Sequence, residues 1–137
     1  MISFTVYGTA VAEARARHSG TRGGRPYTPP NTAAWRLCIR EEALKHRPEV
    51  PLDEPLAVVA VFYSSPPKSK KKQYPTGRPD CSNLIKAVED ALLGVIYRDD
   101  SCIVSLDVHK RYDAVPRVLV GIAAMKEYQS LLEEASA

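Results

Sequence analysis

Four stretches of the chain carry the apolar patterns of β-strands. Residues 2–7 and 102–112 alternate between apolar and polar positions, whereas residues 56–63 and 117–124 are almost continuously apolar. Alternation is typical of a strand with one wet face, and a short unbroken apolar run is typical of a strand covered on both faces. We therefore predict four strands, with residues 56–63 central in the sheet.

The alternation in residues 102–112 separates two sets of side chains. The apolar set, expected on the dry face, comprises Val104, Leu106 and Val108. The polar set, expected on the wet face, comprises Ser105, Asp107 and His109. This stretch is therefore predicted to form a strand with one solvated side.

The first of three predicted helices begins at Asn31 or Thr32, both good capping residues, and continues through Lys45. Its core-facing stripe lies at helical spacing and comprises Trp35, Cys38, Ile39 and the Glu42-Ala43 pair. Arg36, Arg40 and Lys45 are expected on the outside. Trp35 is interpreted as a core anchor rather than a base-stacking residue.

The second predicted helix begins at Cys81 or Ser82 and ends at Gly94, which can adopt a left-handed conformation. One arc of this helix is apolar and comprises Leu84, Ile85, Val88, Ala91 and Leu92. The opposite stripe is polar and comprises Asn83, Lys86 and Asp90. Residues 126–137 are rich in helix formers and predict a short terminal helix.

The predicted order of elements is β, α, β, α, β, β, α. This order indicates an α+β fold in which helices pack on one mixed β-sheet. At 137 residues the chain is long enough for one hydrophobic core but not for two, so residues 1–137 are predicted to form a single domain.

Two loops concentrate basic residues. Residues 11–30 combine glycines and prolines with arginines that include Arg15 and Arg17, and predict a long, mobile basic loop. The segment after the central strand, SSPPKSKKKQYPT, carries a lysine cluster comprising Lys68, Lys70, Lys71 and Lys72. Both loops are compatible with plain solvated surface or with binding to phosphates, and both interpretations remain open.

Composition narrows the classes of protein. A net charge of +3 permits a polyanionic partner without requiring one. Three cysteines without CxxC spacing, and scattered histidines, argue against a zinc site and for a reducing compartment. The sequence shows neither a signal-peptide pattern nor an apolar run long enough to span a membrane, so a cytoplasmic protein is expected.

The stretch from Arg78 to Asp100 carries the candidate chemistry. Asp80 precedes the second helix, and Asp99 and Asp100 follow it after residues 95–97, which we predict to be extended and to run back toward the helix start. Asp80 and Asp100 would then converge on Mg²⁺ or Mn²⁺, which prefer oxygen ligands. Lys86 can offset negative charge on a phosphate, and Asn83 can orient a ligand or water.

A simpler interpretation treats Asp80 and Ser82 as helix caps and Asp99-Asp100 as a polar turn. Acids are common at both kinds of position, so generic chemistry alone favours this second interpretation.

The sequence motif of this stretch favours the first interpretation, a metal site. RPD-x-x-NL-x-KA-x-x-DAL, followed by Gly and Asp-Asp before a strand, resembles the RusA family of crossover-junction endodeoxyribonucleases, whose usual pattern is R/K-P-D-x-D-N-L-x-K-x-x-x-D-A-L and then D-D. The first strand ending at Gly8, the pair Arg15 and Arg17, the YTPP segment at Tyr27 and the lysine-rich loop extend the resemblance over nearly the whole chain.

This resemblance implies a RusA-like fold and a two-fold homodimer that binds four-way (Holliday) DNA junctions, in DNA recombination and repair. It implies paired nicks that depend on Mg²⁺ or Mn²⁺. Carried over by position, Asp80 and Asp100 match metal-binding acids and Lys86 matches the catalytic lysine. Asn83, Asp90 and Asp99 match the motif in supporting or metal-binding roles, and the basic residues Arg15, Arg17, Lys68, Lys70, Lys71 and Lys72 are candidates for DNA binding.

One position departs from the family pattern. Ser82 stands where the second acid of D-x-D is usual, and a hydroxyl is a weaker ligand for a hard cation than a carboxylate. Ser82 would hold a metal-bound water, or Asp99 or another acid would substitute for it, or the protein cuts poorly and mainly binds junctions; a non-catalytic junction- or DNA-binding protein is a second hypothesis. A basic interaction module with purely structural acids is a third hypothesis.

Overall fold

The computed structural model describes residues 1–12, 17–18, 26–27, 30–69 and 72–136. The helices are α1 (Pro30–Leu44), α2 (Cys81–Leu92) and α3 (Met125–Ser136). The strands are β1 (Ile2–Tyr7), β2 (Arg17–His18), β3 (Pro26–Tyr27), β4 (Leu56–Ser64), β5 (Ile103–Tyr112) and β6 (Arg117–Ala124), and a 3-10 turn (Asp100–Cys102) precedes β5.

The main sheet has four strands in the order β1-β6-β4-β5. β6 is antiparallel to β1 and β4, whereas β4 and β5 are parallel and are joined by a crossover that contains α2. The mixed sheet and the internal position of β4 confirm the predicted α+β class and the central strand. β5 lies at an edge, with a neighbour on one side only.

The core lies between one face of the sheet and helices α1 and α2, which also pack on each other. Trp35 is 5% exposed, which confirms it as a core anchor. All five residues of the apolar arc predicted for α2 are buried: Leu84, Ile85, Val88, Ala91 and Leu92. None of the helices in the described ranges has the length and apolar content needed to cross a membrane.

Cys38 was predicted to face the core, and this is wrong because its thiol-bearing side chain is exposed. The buried stripe of α1 contains Trp35, Ile39 and Ala43, which are four residues apart along the chain. Cys38 is displaced by about 100° round the helix from Ile39 and therefore points to solvent.

The dry face predicted for β5 is also wrong over its first half. Val104 is 59% exposed and Leu106 is 46% exposed. The register of β4 and β5 shifts between Leu56 and Ala57, whose partners are Ile103 and Ser105, so Val104 is an extra, unpaired residue at a bulge. Leu106 lies on an edge strand and is not enclosed on its outer side.

The predicted extended run over residues 95–97 is a tight turn instead. Gly94 has a left-handed φ of 78°, as predicted, and its N–H donates to the Tyr97 carbonyl at 2.8 Å. Val95, Ile96 and Tyr97 are buried, with at most 5% of their surface exposed. Burial of these apolar side chains holds the segment against the core as a turn rather than as an extended run.

The basic loops are described only in part. Arg15, Lys70 and Lys71 lie outside the described residues. Residues 17–18 and 26–27 pair as a two-residue antiparallel ladder, so the predicted long loop contains β2 and β3. Lys68 and Lys72 are exposed.

Candidate active site

Asp80 occupies the N-cap position of α2, but its carboxylate makes no capping hydrogen bond. Its backbone carbonyl accepts from the N–H groups of Asn83 at 3.1 Å and Leu84 at 3.0 Å, and the residue is exposed. A capping aspartate normally uses its carboxylate on these N–H groups. Asp80 therefore leaves its carboxylate available for another partner.

Asp99 and Asp100 are neighbours in sequence but differ in environment. The Asp99 carboxylate accepts from the Ser101 N–H at 2.9 Å, and this hydrogen bond lowers the pKa of Asp99. Asp99 thus caps the 3-10 turn from an exposed position. Oδ1 of Asp100 is buried and has no hydrogen-bond partner within the described part of the chain. Because buried polar atoms nearly always have partners, this carboxylate oxygen is a position at which a bound cation or water would be accommodated.

Lys86 lies on α2 about 9 Å along the helix axis from Asp80. Its Nζ contacts Oδ1 of Asp90 at 3.1 Å, one turn further on. The hydrogen bond to Asp90 raises the pKa of Lys86, and the nearby charge of Asp100 raises it further. Lys86 is thus a positively charged side chain that pairs with Asp90 and lies close enough to Asp100 to feel its charge.

Glu89 is a carboxylate of this site that was not predicted. Burial raises its pKa, and the charge of Asp100 adds to that shift. Glu89 follows Ser82 and Lys86 at helical spacing, seven and three residues on, so all three lie on one face of α2. This spacing was a signal in the sequence, because Glu89 falls on the same helix face as the position where the family's second acid is missing.

Tyr97 connects the segment before Asp100 to the helix. Its side chain is fully buried, and its hydroxyl donates to the Glu89 carbonyl at 2.8 Å. Burial raises the pKa of Tyr97, as does the charge of the nearby Asp100 carboxylate. Tyr97 therefore remains a neutral donor that bonds to α2 close to Asp100. An aromatic residue in an apolar run gave no sequence signal for this role.

The donor set suits a divalent cation that keeps most of its water. Among the described residues, no three His, Cys, Asp or Glu side chains form a group able to hold a metal. Mg²⁺, however, is commonly held by one or two carboxylates together with waters and substrate phosphates. The buried Oδ1 of Asp100 and the exposed carboxylate of Asp80 are each oxygen donors of the kind that such a site uses.

The remaining predicted residues whose side chains the structure describes are on the surface. Asn83 and Ser82 are exposed in the first turn of α2, so both are accessible from solvent. Lys72 donates to the Thr76 hydroxyl at 3.0 Å in the segment that leads to Asp80. Fold and side chains together define a class of protein: a single α+β domain in which one face of a helix carries Lys86 and Glu89.

Comparison with known proteins identifies the family within this class. Residues 8–123 match the family model of endodeoxyribonuclease RusA. The chain is also 38% identical over 135 residues to an uncharacterized protein of Bacillus subtilis (strain 168), YqaN, covering 88% of this chain and 94% of that relative. The chain belongs to the RusA family, which is a family of nucleases.

Proposed function

We propose that this chain is a divalent-metal-dependent endodeoxyribonuclease that resolves four-way DNA junctions by paired phosphodiester cleavage. Membership of the RusA family supports the substrate class and the reaction. The observation that carries the catalytic part is the buried, unpartnered Oδ1 of Asp100, close to Lys86 and Glu89.

In this proposal Asp100 and Asp80 would hold Mg²⁺ or Mn²⁺. The bound ion would polarise the scissile phosphate and activate the attacking water. Lys86 contributes a fixed positive charge toward the phosphate, and its ion pair with Asp90 restricts where its ammonium group lies. Ser82 contributes at most a neutral oxygen, whereas Asp99 stays a structural cap.

A homodimer completes the proposal. A four-way junction is roughly two-fold symmetric, and one chain of this size offers one site of this kind. A two-fold dimer presents two such sites to strands related by the same symmetry. The exposed Lys68 and Lys72 precede Asp80 in sequence and would meet the phosphates of the bound arms, together with the other basic residues predicted from sequence.

The neighbouring acids Asp99 and Asp100 provide a matched test. Asp100→Asn should reduce nicking of a labelled four-way junction in Mg²⁺ or Mn²⁺ by about 100-fold or more, because a first metal ligand is lost. Asp99→Asn should retain most of the activity, since its carboxylate only caps a turn. Symmetric nicks at wild-type rate by Asp100→Asn would refute the proposed site.

A second candidate function is junction binding without cleavage. Two observations favour it: Ser82 replaces an acid of the family pattern, and the described residues contain no three-carboxylate group able to hold a metal. This alternative predicts tight, salt-sensitive binding to junctions and no nicks in any divalent ion. Ser82→Asp would then create cleavage activity where the wild-type chain has none.

A further inference from the structure

Lys110 interrupts the apolar stripe of β5. It follows Leu106 and Val108 at alternate positions, so it lies on the face of the sheet that carries α1 and α2. Its partner in the β4–β5 register is Phe62, which is buried. Lys110 is half-buried. A lysine on an apolar face lowers the stability of the fold unless its ammonium group finds hydrogen-bond acceptors.

The ammonium group of Lys110 is satisfied by the chain just before Asp80. Its Nζ donates to the carbonyl of Gly77 at 2.9 Å and to the carbonyl of Pro79 at 3.0 Å. These carbonyls lie on either side of Arg78, and the second belongs to the residue that directly precedes Asp80. Two charge-assisted hydrogen bonds thus fix the backbone from which the Asp80 side chain projects.

We propose that Lys110 is a positioning residue that holds the Asp80 carboxylate in place for metal binding. The inference rests on the proposed function, because it assigns Asp80 to the metal. The Asp80 carboxylate makes no capping hydrogen bond, so α2 itself does not restrain that side chain. The clamp on Gly77 and Pro79 supplies the restraint, and a group that orients a metal ligand typically changes metal affinity 10- to 100-fold, roughly, when it is removed.

A direct contact between Lys110 and DNA is the competing role. Two of the three N–H groups of Lys110 are committed to backbone carbonyls, which leaves one for a phosphate. Removal of a phosphate contact weakens DNA binding and leaves metal binding in the absence of DNA unchanged. The two roles therefore differ in an experiment that contains no DNA.

The experiment measures Mn²⁺ alone, by electron paramagnetic resonance of the free ion, on the full-length chain. Lys110→Met keeps the length of the side chain and removes both hydrogen bonds, and a neighbouring cavity of about 140 Å³, lined partly by Phe62 and Leu84, gives it room. We expect Mn²⁺ affinity to fall about 10-fold or more. Lys110→Arg, which retains two donors, should stay within about three-fold of wild type. Lys110→Leu replaces Lys110→Met if the methionine variant does not fold.

Two controls make the result specific. Lys45→Met removes an exposed lysine outside this segment, whose ammonium group bonds to the Glu42 side chain, and should leave Mn²⁺ affinity unchanged. In an Asp80→Asn background, Lys110→Met should cause no additional loss, because it acts through Asp80. Unchanged Mn²⁺ affinity in Lys110→Met, equal losses in Lys110→Arg, or an additive loss in the double variant would each overturn the inference.

The same titrations separate this inference from the proposed function. A wild-type chain that binds Mn²⁺ and nicks junctions, beside a Lys110→Met variant that does both equally well, contradicts only the role of Lys110. A wild-type chain that neither binds Mn²⁺ nor nicks contradicts both. Junction affinity in Ca²⁺ should be the same for wild type and Lys110→Met, and a lower affinity with normal Mn²⁺ binding would identify a phosphate contact instead.

Discussion

Replacement of Tyr97 by Phe removes one hydroxyl from a fully buried ring and leaves the packing of that ring in place. The hydroxyl donates to the Glu89 carbonyl, which also accepts from the Leu93 N–H at 3.1 Å. The carbonyl therefore keeps a partner in the variant, and the full penalty for an unsatisfied buried acceptor does not arise.

The expected cost is consequently that of one net hydrogen bond, about 1 kcal/mol in the free energy of unfolding. For a domain of this size such a change lowers the melting temperature by roughly 3–4 °C. The Asp100 carboxylate also loses a neutral hydroxyl near it, so in the proposed metal site Mn²⁺ affinity should fall about 10-fold.

Thermal unfolding followed by circular dichroism and Mn²⁺ titration measure the two effects on the same samples. Tyr128→Phe is the matched control, because no hydrogen bond of the Tyr128 hydroxyl is found among the described residues. If Tyr97→Phe melts with the control and binds Mn²⁺ as wild type does, the hydroxyl neither supports the turn nor places Asp100.

Two further predictions concern stability. Burial and the charge of Asp100 raise the pKa of Glu89 in the folded chain. Its ionisation therefore lowers the free energy of unfolding as pH rises from the usual carboxyl range through the raised pKa. Glu89→Gln should stabilise the metal-free chain near neutral pH and have little effect at low pH, and urea unfolding at several pH values measures both. Ile39→Ala should lower the free energy of unfolding by about 2–5 kcal/mol, because it opens a cavity at a fully buried site. Cys38→Ala, at the adjacent exposed position, should change the free energy of unfolding little.

The apolar periodicity predicted the fold well where burial alone decides it. The unbroken run in β4 indicated a central strand, and the arc of α2 from Leu84 to Leu92 is buried as expected. The prediction from periodicity failed where two arrangements of the side chains fit the same pattern equally well. Cys38 and Ile39 both fit the spacing from Trp35, and only the position of the sheet selects Ile39. The bulge that exposes Val104 depends on pairing with β4, which periodicity within β5 does not encode.

The sequence named candidate site residues but did not indicate how the structure arranges them. Spacing and family pattern pointed to Asp80, Lys86 and an Asp99-Asp100 pair without distinguishing the last two. Their difference arises from the 3-10 turn, which directs Asp99 to the Ser101 N–H and leaves Oδ1 of Asp100 buried. Lys110, in contrast, could be recognised from the sequence. It is a charged residue at the position where the apolar stripe of Leu106 and Val108 should continue, and such a break in pattern often marks a functional residue.

α2 is the common reference for both acids. A rigid helix fixes the spacing from its N-cap to Lys86 and Glu89, but it restrains neither the Asp80 carboxylate nor a residue that follows the helix after a turn. Each acid therefore needs a separate hydrogen bond that restrains its part of the chain. Tyr97 bonds the turn before Asp100 to the Glu89 carbonyl, and Lys110 bonds the segment before Asp80 to β5. Since β5 itself begins directly after the Asp100 turn, a shift of either acid relative to α2 has to break a buried or charge-assisted hydrogen bond. The proposed metal site, with two carboxylate ligands, would depend on that resistance.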